Sequence, residues 1–384
     1  MDRIWPIGLS RRAAANGILA AMSSNTLTQP ATSAFDEAKR NAFLERAMND
    51  LAAGYSGVLV TVGHRLGLYR TMAGAGPISS QELAHRSGCN ERYIREWLNS
   101  QVAGHYVLFH PTSETYELPA EHVPILADEE SPLCLAPAWE VPASMWFDQE
   151  RTIAAFRSGE GIPWSAHNER LYCGVAAFYR NSYKAQLVPL WLPAIKGAVE
   201  KLRAGALVAD VGCGHGHSTI LMAQAFPQSR FHGLDNHTGS IEAARKNAGT
   251  AGVADRVTFS IANAKDYPAC PYDLLCFFDC LHDMGDPVGA AAHALSALAP
   301  DGTVMVIEPF AHDALEKNRG PVARRYYGAS TTLCCPHSRS EEVGLALGAQ
   351  AGPARLSHVF LRAGFTHFRV AQENPFNLIL EARP

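Results

Sequence analysis

No stretch of this sequence approaches the roughly 18 uninterrupted apolar residues that a membrane-crossing helix needs. Neither charge sign dominates. Lys and Arg number 33 against 37 Asp and Glu, a formal net charge of -4, so no global field draws the chain to nucleic acid or to an anionic membrane. Cysteine is scarce, odd in number and scattered, nine in 384 residues. That does not describe a disulfide framework, and the expectation is a reduced, cytoplasmic protein. Internal repeats are missing. Met1–Ala21 carries Arg3, Arg11 and Arg12 but no continuous apolar core, so it does not read as a secretory signal. What the chain does have is apolar bulk. It is 47% hydrophobic and 18% charged, enough for a sizeable core and, at this length, for two domains.

Residues 1–35 are expected to be a flexible tail, with Met22 a second candidate start ahead of a Ser/Thr/Asn/Gln/Pro stretch. Residues 36–70 read helical, with Phe43, Leu44, Ala47, Leu51, Val58, Leu59, Val62, Leu66 and Leu68 at helical spacing. Ser79 followed by Glu82 is a capping-box pattern. After the break at Gly88-Cys89-Asn90, Glu91–Gln101 predicts a second helix with Tyr93, Ile94, Trp97 and Leu98 inward. His105–His110 and Thr115–Leu118 read as strands around a turn. Together these make a winged helix over 36–120. Between Asp36 and Ile125 there are eight Lys/Arg and ten Asp/Glu. A DNA reader needs a basic face, so dimerisation and substrate capping is the favoured role and DNA binding the alternative. Residues 119–170, with Trp139, Met145, Trp146, Phe147, Phe156 and Trp164, are too apolar for a free linker. They either lid a pocket or pack domains together. Residues 121–204 are read as connecting and capping helices.

From 205 to 384 strands and helices alternate, which implies a parallel sheet. The strands expected are Leu207–Val211, Arg230–Leu234, Val257–Ile261, Leu274–Phe278, Val304–Ile307, Thr366–Val370 and Asn377–Glu381. The run Val208-Ala209-Asp210-Val211-Gly212-Cys213-Gly214-His215-Gly216-His217 is a strand, a glycine turn and a helix start. Glycine lacks a Cβ and tolerates positive φ, so a cofactor can lie against bare backbone there. A dinucleotide fingerprint would need its third glycine where His217 stands.

The Asp-x-Gly-x-Gly-x-Gly spacing resembles motif I of the class I S-adenosylmethionine (SAM) methyltransferases. With the winged-helix front, the chain from about 40 to 384 is similar to bacterial small-molecule methyltransferases of the O-methyltransferase type. That resemblance implies a Rossmann-like seven-stranded α/β sheet behind an N-terminal α-helical winged-helix domain. It implies SAM as cofactor, a small-molecule methyl acceptor, a homodimer, and neither nucleic-acid nor membrane partners. Gly212, Gly214 and Gly216 should pass beneath the methionine part of SAM, and Asp210 sits where the family keeps an acid near the amino group. Asp235 ends the second strand, where a carboxylate accepts both ribose hydroxyls. Asn236 follows along the cofactor, and Asn263 and Ala264 stand at the adenine loop. Asp279 closes the fourth strand on the cofactor side.

After Asp279 comes Cys280-Leu281-His282-Asp283-Met284. The chain has no Asn/Asp-Pro-Pro-aromatic there and no Pro-Cys dipeptide, the marks of amino- and cytosine-directed methyltransferases. Leu-His-Asp-Met instead resembles the segment in which small-molecule O-methyltransferases keep a histidine base. Glu308, 26 residues later, would orient the His282 imidazole, which titrates near neutrality. The plain alternative for His282 is a helix cap or a backbone hydrogen bond. The segment 310–353, long and without clear elements, reads as a substrate-side wall. In it, Cys334-Cys335-Pro336-His337 lacks the paired spacing of a structural zinc site, and no metal is expected. Three alternatives stay open: an N-, S- or C-methyltransferase working by proximity, an RNA or protein methyltransferase, and a non-catalytic SAM- or DNA-binding regulator. The acceptor is not legible.

Overall fold

Alternation of short apolar strands with helices from Leu207 onward builds one seven-stranded sheet. A computed structural model describes residues 35–384; apart from Phe35, the expected tail lies outside the described residues. The chain divides after Leu51 into two units, Met1–Leu51 and Ala52–Pro384. A long helix, α1, spans Glu37–Arg65. In the first unit its large side chains Phe43, Leu44, Met48 and Leu51 are all exposed. Farther along α1, in the second unit, Tyr55, Val58 and Val62 are exposed as well, while Gly57, Val60, Thr61 and Gly63 are buried. The apolar periodicity at the start of the chain therefore marks an outward stripe as much as a core-facing one.

The winged helix follows as expected. Ser79 caps the helix Ser80–Ser87 by accepting the Glu82 N–H at 3.1 Å. Asn90 caps the helix Glu91–Ala103. Strands β1 (Leu108–His110) and β2 (Thr115–Glu117) pair antiparallel as the wing. Leu68, Tyr69, Leu83, Ile94, Trp97 and Leu98 form its core. Tyr93 departs from the expectation of an inward side chain; it is 80% exposed. Standing one residue before the buried Ile94, it is rotated by about 100° around the helix, away from that core.

The catalytic-type sheet contains β3 (Leu207–Val211), β4 (Arg230–Asp235), β5 (Val257–Ile261), β6 (Tyr272–Phe278), β7 (Leu298–Pro309), β8 (His367–Glu373) and β9 (Asn377–Arg383). The order is β5-β4-β3-β6-β7-β9-β8. β3 to β7 are parallel; β9 runs antiparallel to β7, and β8 antiparallel to β9. The reversed strand is thus β9, inside the sheet, and the outer strand at that end is β8. Val208, Ala209, Leu275, Phe277, Val306 and Leu380 are essentially inaccessible. Near-continuous apolar runs such as these belong to strands covered on both faces. Because β3 and β6 are neighbours whose connections leave in opposite directions, a crevice opens at their C-terminal ends. Every residue assigned a chemical role stands on that rim or on the loops just past it.

Residues 310–353, expected to lack elements, hold the helix Pro321–Ala329, a π-helical turn Ser330–Cys334 and the helix Cys335–Ser340. The helix Arg170–Gln186 ends in a second π-helical turn, Leu187–Trp191. The expectation that 119–170 is no free linker holds. The Trp139 ring lies against Gly57, and Arg65 makes a two-pronged bond to the buried Glu140 carboxylate at 2.6 and 3.0 Å.

Candidate active site

The glycine turn is held by strand backbone. The N–H groups of Gly212 and Cys213 both donate to the Leu234 carbonyl, at 2.7 and 3.0 Å. This fixes the turn against the end of β4. A Cβ on Gly212 would fall 2.7 Å from Cys280 Sγ, so that side is packed; a Cβ on Gly214 would meet nothing within 4 Å. Gly214, with φ +53, is therefore where bare backbone faces open space. Its N–H donates to Asp235 Oδ2 at 2.9 Å, and the His237 N–H donates to Asp235 Oδ1 at 2.9 Å. The Asp235 carboxylate is thus held by two backbone donors. Burial pushes its pKa up, with both backbone bonds opposing.

Asp210 is fully buried at the end of β3. Its Oδ2 accepts the Ser218 and Thr219 hydroxyls, both at 2.6 Å, which ties it to the first turn of the helix His217–Ala225. Its Oδ1 has no partner. Burial pushes its pKa up to about 6, against the pull of the two hydroxyls. Beyond β4 and β5 an open cleft of about 550 Å³ is lined by Asn236, Ile261, Ala262 and Asn263. The Asn263 amide nitrogen donates to Asp266 at 3.1 Å, which leaves its oxygen as the side-chain acceptor.

On the other flank, β6 and β7 deliver His282 and Glu308 together. The Asp279 N–H donates to the Ile307 carbonyl at 2.7 Å, extending the ladder one step. The chain then turns through Asp279 at φ +53, a strained conformation for a residue with a Cβ, into the turn Leu281–Asp283. Glu308, 1% exposed, accepts the Leu281 and His282 N–H groups on Oε1 at 3.1 and 3.3 Å. Its Oε2 accepts from His282 Nδ1 in a short bond. The imidazole is thus fixed in orientation, and in its neutral form with Nδ1 protonated the lone pair is on Nε2. Nε2 lies 3.0 Å from Asp283 Oδ1. Burial alone would lower the pKa of His282, but the Asp283 and Glu308 carboxylates outweigh it and hold it well above 6.5.

Both Asp279 oxygens are buried without hydrogen-bond partners. Burial first and Glu308 second push its pKa well above the usual carboxylate range. Tyr179, Tyr183 and Tyr326 sense its charge, so it faces the helices Arg170–Gln186 and Pro321–Ala329. A strap over 160–167 completes the wall. The Ile162 N–H donates to the Pro336 carbonyl at 2.8 Å, and the Trp164 N–H to His337 Nδ1 at 3.2 Å. Gly161 allows this approach, since a Cβ there would fall 2.0 Å from the Ser340 nitrogen. Tyr172 stacks on His237 at 4.6 Å, next to Asp235.

The structure thus brings the expected residues to one rim in two groups. Asp210, the glycine turn, Asp235, Asn236, Asn263 and Ala264 lie at or just past the ends of β3, β4 and β5; Asp279 and His282 lie just past β6, and Glu308 near the end of β7. Sequence reasoning missed Asp283 beside the imidazole, Cys334 beside both, and Tyr172 on His237. Only Asp283 carried a signal, its adjacency to His282. The adjacent cysteines point differently, as expected: Cys335 Sγ lies 3.5 Å from Ser330 Oγ.

Residues 54–128 match the Rv2258c-like winged HTH domain, and residues 202–341 match a methyltransferase domain. The chain thus joins a winged HTH module to a methyltransferase domain. A trans-aconitate 2-methyltransferase of Streptomyces avermitilis is 35% identical over 103 residues, 27% of this chain and 38% of that protein. The chain therefore matches less than two-fifths of that relative's length. Among solved structures, an O-methyltransferase family protein from Burkholderia thailandensis superposes with TM-score 0.65 at 16% identity, over 88% of this chain and 97% of that one. Human N-acetylserotonin methyltransferase, solved in complex with SAM, gives 0.63 at 18%, over 91% and 99%.

Proposed function

We propose that the protein transfers the methyl group of SAM to a hydroxyl of a small, partly apolar molecule. The residues present fit the cofactor. Gly214 faces open space, Asp210 presents an unpartnered oxygen, and the cleft at Asn236 and Asn263 continues the same rim. Asp210 would take the amino group and Asp235 the ribose. Gly212, Gly214 and Gly216 would form the backbone floor, while Asn236, Asn263 and Ala264 flank the adenine. The buried carboxyl of Asp279 would face the methionine end. When bound, SAM supplies an electrophilic methyl group on a sulfonium.

The observation that carries the reading is the buried His282–Glu308 pair. A hydroxyl becomes a strong nucleophile as its proton leaves, and His282 Nε2 would receive it. Glu308 keeps the tautomer and stabilises the imidazolium that results. The strap and Tyr172 exclude water, and much of the acceleration comes from holding the acceptor against the methyl group. A second reading rests on Asp283. Its oxygen occupies the direction of Nε2, which favours transfer by proximity alone to an already nucleophilic nitrogen, sulfur or carbon.

The domain limits that suit this are 36–120 for the winged helix, 121–204 for the capping helices and 205–384 for the catalytic part, with 310–353 as the substrate wall. We assign a homodimer as well. Along α1, Leu44, Met48, Leu51, Tyr55, Val58 and Val62 stand at alternating four- and three-residue spacings and are exposed. A strict seven-residue repeat calls for a partner helix with the same repeat, which a second copy supplies. No described helix is long and apolar enough to cross a membrane. The nine cysteines are all free thiols, which suits a reducing compartment such as the cytoplasm. Calorimetric titration with SAM and S-adenosylhomocysteine, followed by labelled-methyl transfer to a panel of phenols and hydroxy-aromatics, tests the reading. Absence of SAM binding would remove it; binding with transfer only to amines or thiols would select the second one.

A further inference from the structure

We propose that His282 Nε2, the Asp283 carboxylate and the Cys334 thiolate form a site for one divalent cation of the zinc class, and that such an ion silences the base. Among the described residues these three donor atoms form the cluster in which all lie within 4.8 Å of one another. A zinc-type ion with ligands at about 2.0–2.3 Å sets tetrahedral donors roughly 3.3–3.6 Å apart. The Nε2–Oδ1 separation of 3.0 Å and the 4.8 Å limit bracket that range.

Three further observations point to a cation. Glu308 accepts the hydrogen bond from Nδ1 and is itself held by two backbone N–H groups. A histidine whose second nitrogen donates to a carboxylate is the usual outer arrangement of a metal-bound imidazole. Asp283 Oδ1 is buried 3.0 Å from Nε2, and that pair needs a positive charge between its two atoms, a proton or a metal ion in its place. Cys334 closes the π-helical turn Ser330–Cys334, and such turns frequently mark functional positions. A thiol that coordinates such an ion is deprotonated outright.

The neighbours supply no fourth protein ligand. His337 Nδ1 accepts the Trp164 N–H and its Nε2 faces Glu341 at 3.5 Å; Cys335 faces Ser330. The fourth position is left to water or to the acceptor's oxygen. Nitrogen, oxygen and sulfur donors together suit a borderline-soft ion and not magnesium or calcium. An ion there takes the lone pair that the proposed base needs. The inhibition, unlike the binding, rests on that reading of His282.

The test uses the full chain, stripped with chelator and desalted. Cobalt(II) is titrated in, and the thiolate-to-metal charge-transfer band and the calorimetric stoichiometry are read. One equivalent should bind with the band present. Cys334→Ser should lose the band and weaken binding at least tenfold; Asp283→Asn should weaken it comparably, and Cys335→Ser should change neither. Zinc should raise the melting temperature of the unaltered protein and not that of Cys334→Ser. A saturated protein without the band, or a band that survives Cys334→Ser, overturns the site. In turnover assays one equivalent of zinc should abolish methyl transfer, reversibly with chelator. Cobalt binding as described with turnover intact under zinc would overturn the inhibitory half and with it the base role of His282.

Discussion

Replacing Asp210 by Asn should stabilise the protein without its cofactor and weaken cofactor binding, and both effects follow from one oxygen. Asp210 is 0% exposed, Oδ2 bonds two hydroxyls, and Oδ1 bonds nothing. Burial raises its pKa from 3.8 to about 6. A carboxyl that holds its proton more tightly folded than unfolded makes the fold less stable once it ionises. The cost is absent below the unfolded value of 3.8, grows between there and about 6, and is complete above. At about 1.36 kcal/mol per unit it amounts to about 1.6 kcal/mol at pH 5 and about 3 kcal/mol at pH 8. Asn keeps an acceptor for Ser218 and Thr219 and cannot ionise. Scanning calorimetry of the cofactor-free protein should show an advantage for Asp210→Asn that grows by about 1.4 kcal/mol from pH 5 to pH 8, roughly 2–4 °C. Calorimetric titration with SAM should show the reverse, a loss of about 1.5–3 kcal/mol, as expected for a hydrogen bond to a charged acceptor. A variant less stable than the parent at pH 8, with the same pH dependence, would refute the reasoning and leave Asp210 as a cap for the helix His217–Ala225.

His282→Ala should lower turnover by roughly 10²–10⁴ with little change in SAM affinity; full activity on the true acceptor would make transfer by proximity the better account. The rate should rise with pH through a pKa above 6.5, because Asp283 and Glu308 favour the imidazolium that must lose its proton, and Glu308→Gln should move that rise to lower pH at a smaller cost than His282→Ala. Asp235→Ala should weaken SAM by about 1.5–3 kcal/mol, read by titration; unchanged affinity removes Asp235 from the ribose. Met48→Glu with Leu51→Glu should convert the dimer to monomer in light scattering without lowering the melting temperature of the catalytic part, since both positions are more than half exposed; a persisting dimer would place the interface elsewhere.

The glycine turn and the acids at strand ends were readable because their chemistry is local. Asp210 and Asp235 each close an apolar run, and the turn between β3 and its helix needs residues without side chains. The winged helix was readable from the Ser79 cap and the break at Gly88-Cys89-Asn90. The reach of the 310–353 segment was not. Cys334 approaches His282 only because a π-helical turn shifts its direction, and no spacing rule in the sequence announces such a turn. Tyr93 and the α1 stripe show a different limit. Apolar periodicity reports which residues share a face, but not whether that face meets the core or another chain. Asp283 was hidden by its role as a neighbour: adjacency to His282 is visible in the sequence, yet its approach to Nε2 depends on the turn Leu281–Asp283.

Glu308 sits on β7 and His282 in the turn just past the adjacent parallel strand β6, and the Asp279-to-Ile307 bond fixes how far one strand end runs past the other. The distance between imidazole and carboxylate is consequently tied to strand register, which a one-residue slip would destroy together with the core packing on both faces. The walls obey no such constraint. The strap at 160–167 and the helices of 310–353 touch the chemistry only from outside the sheet. Lineages descended from such a chain can exchange those walls, and with them the acceptor, while inheriting the proton-transfer pair unchanged.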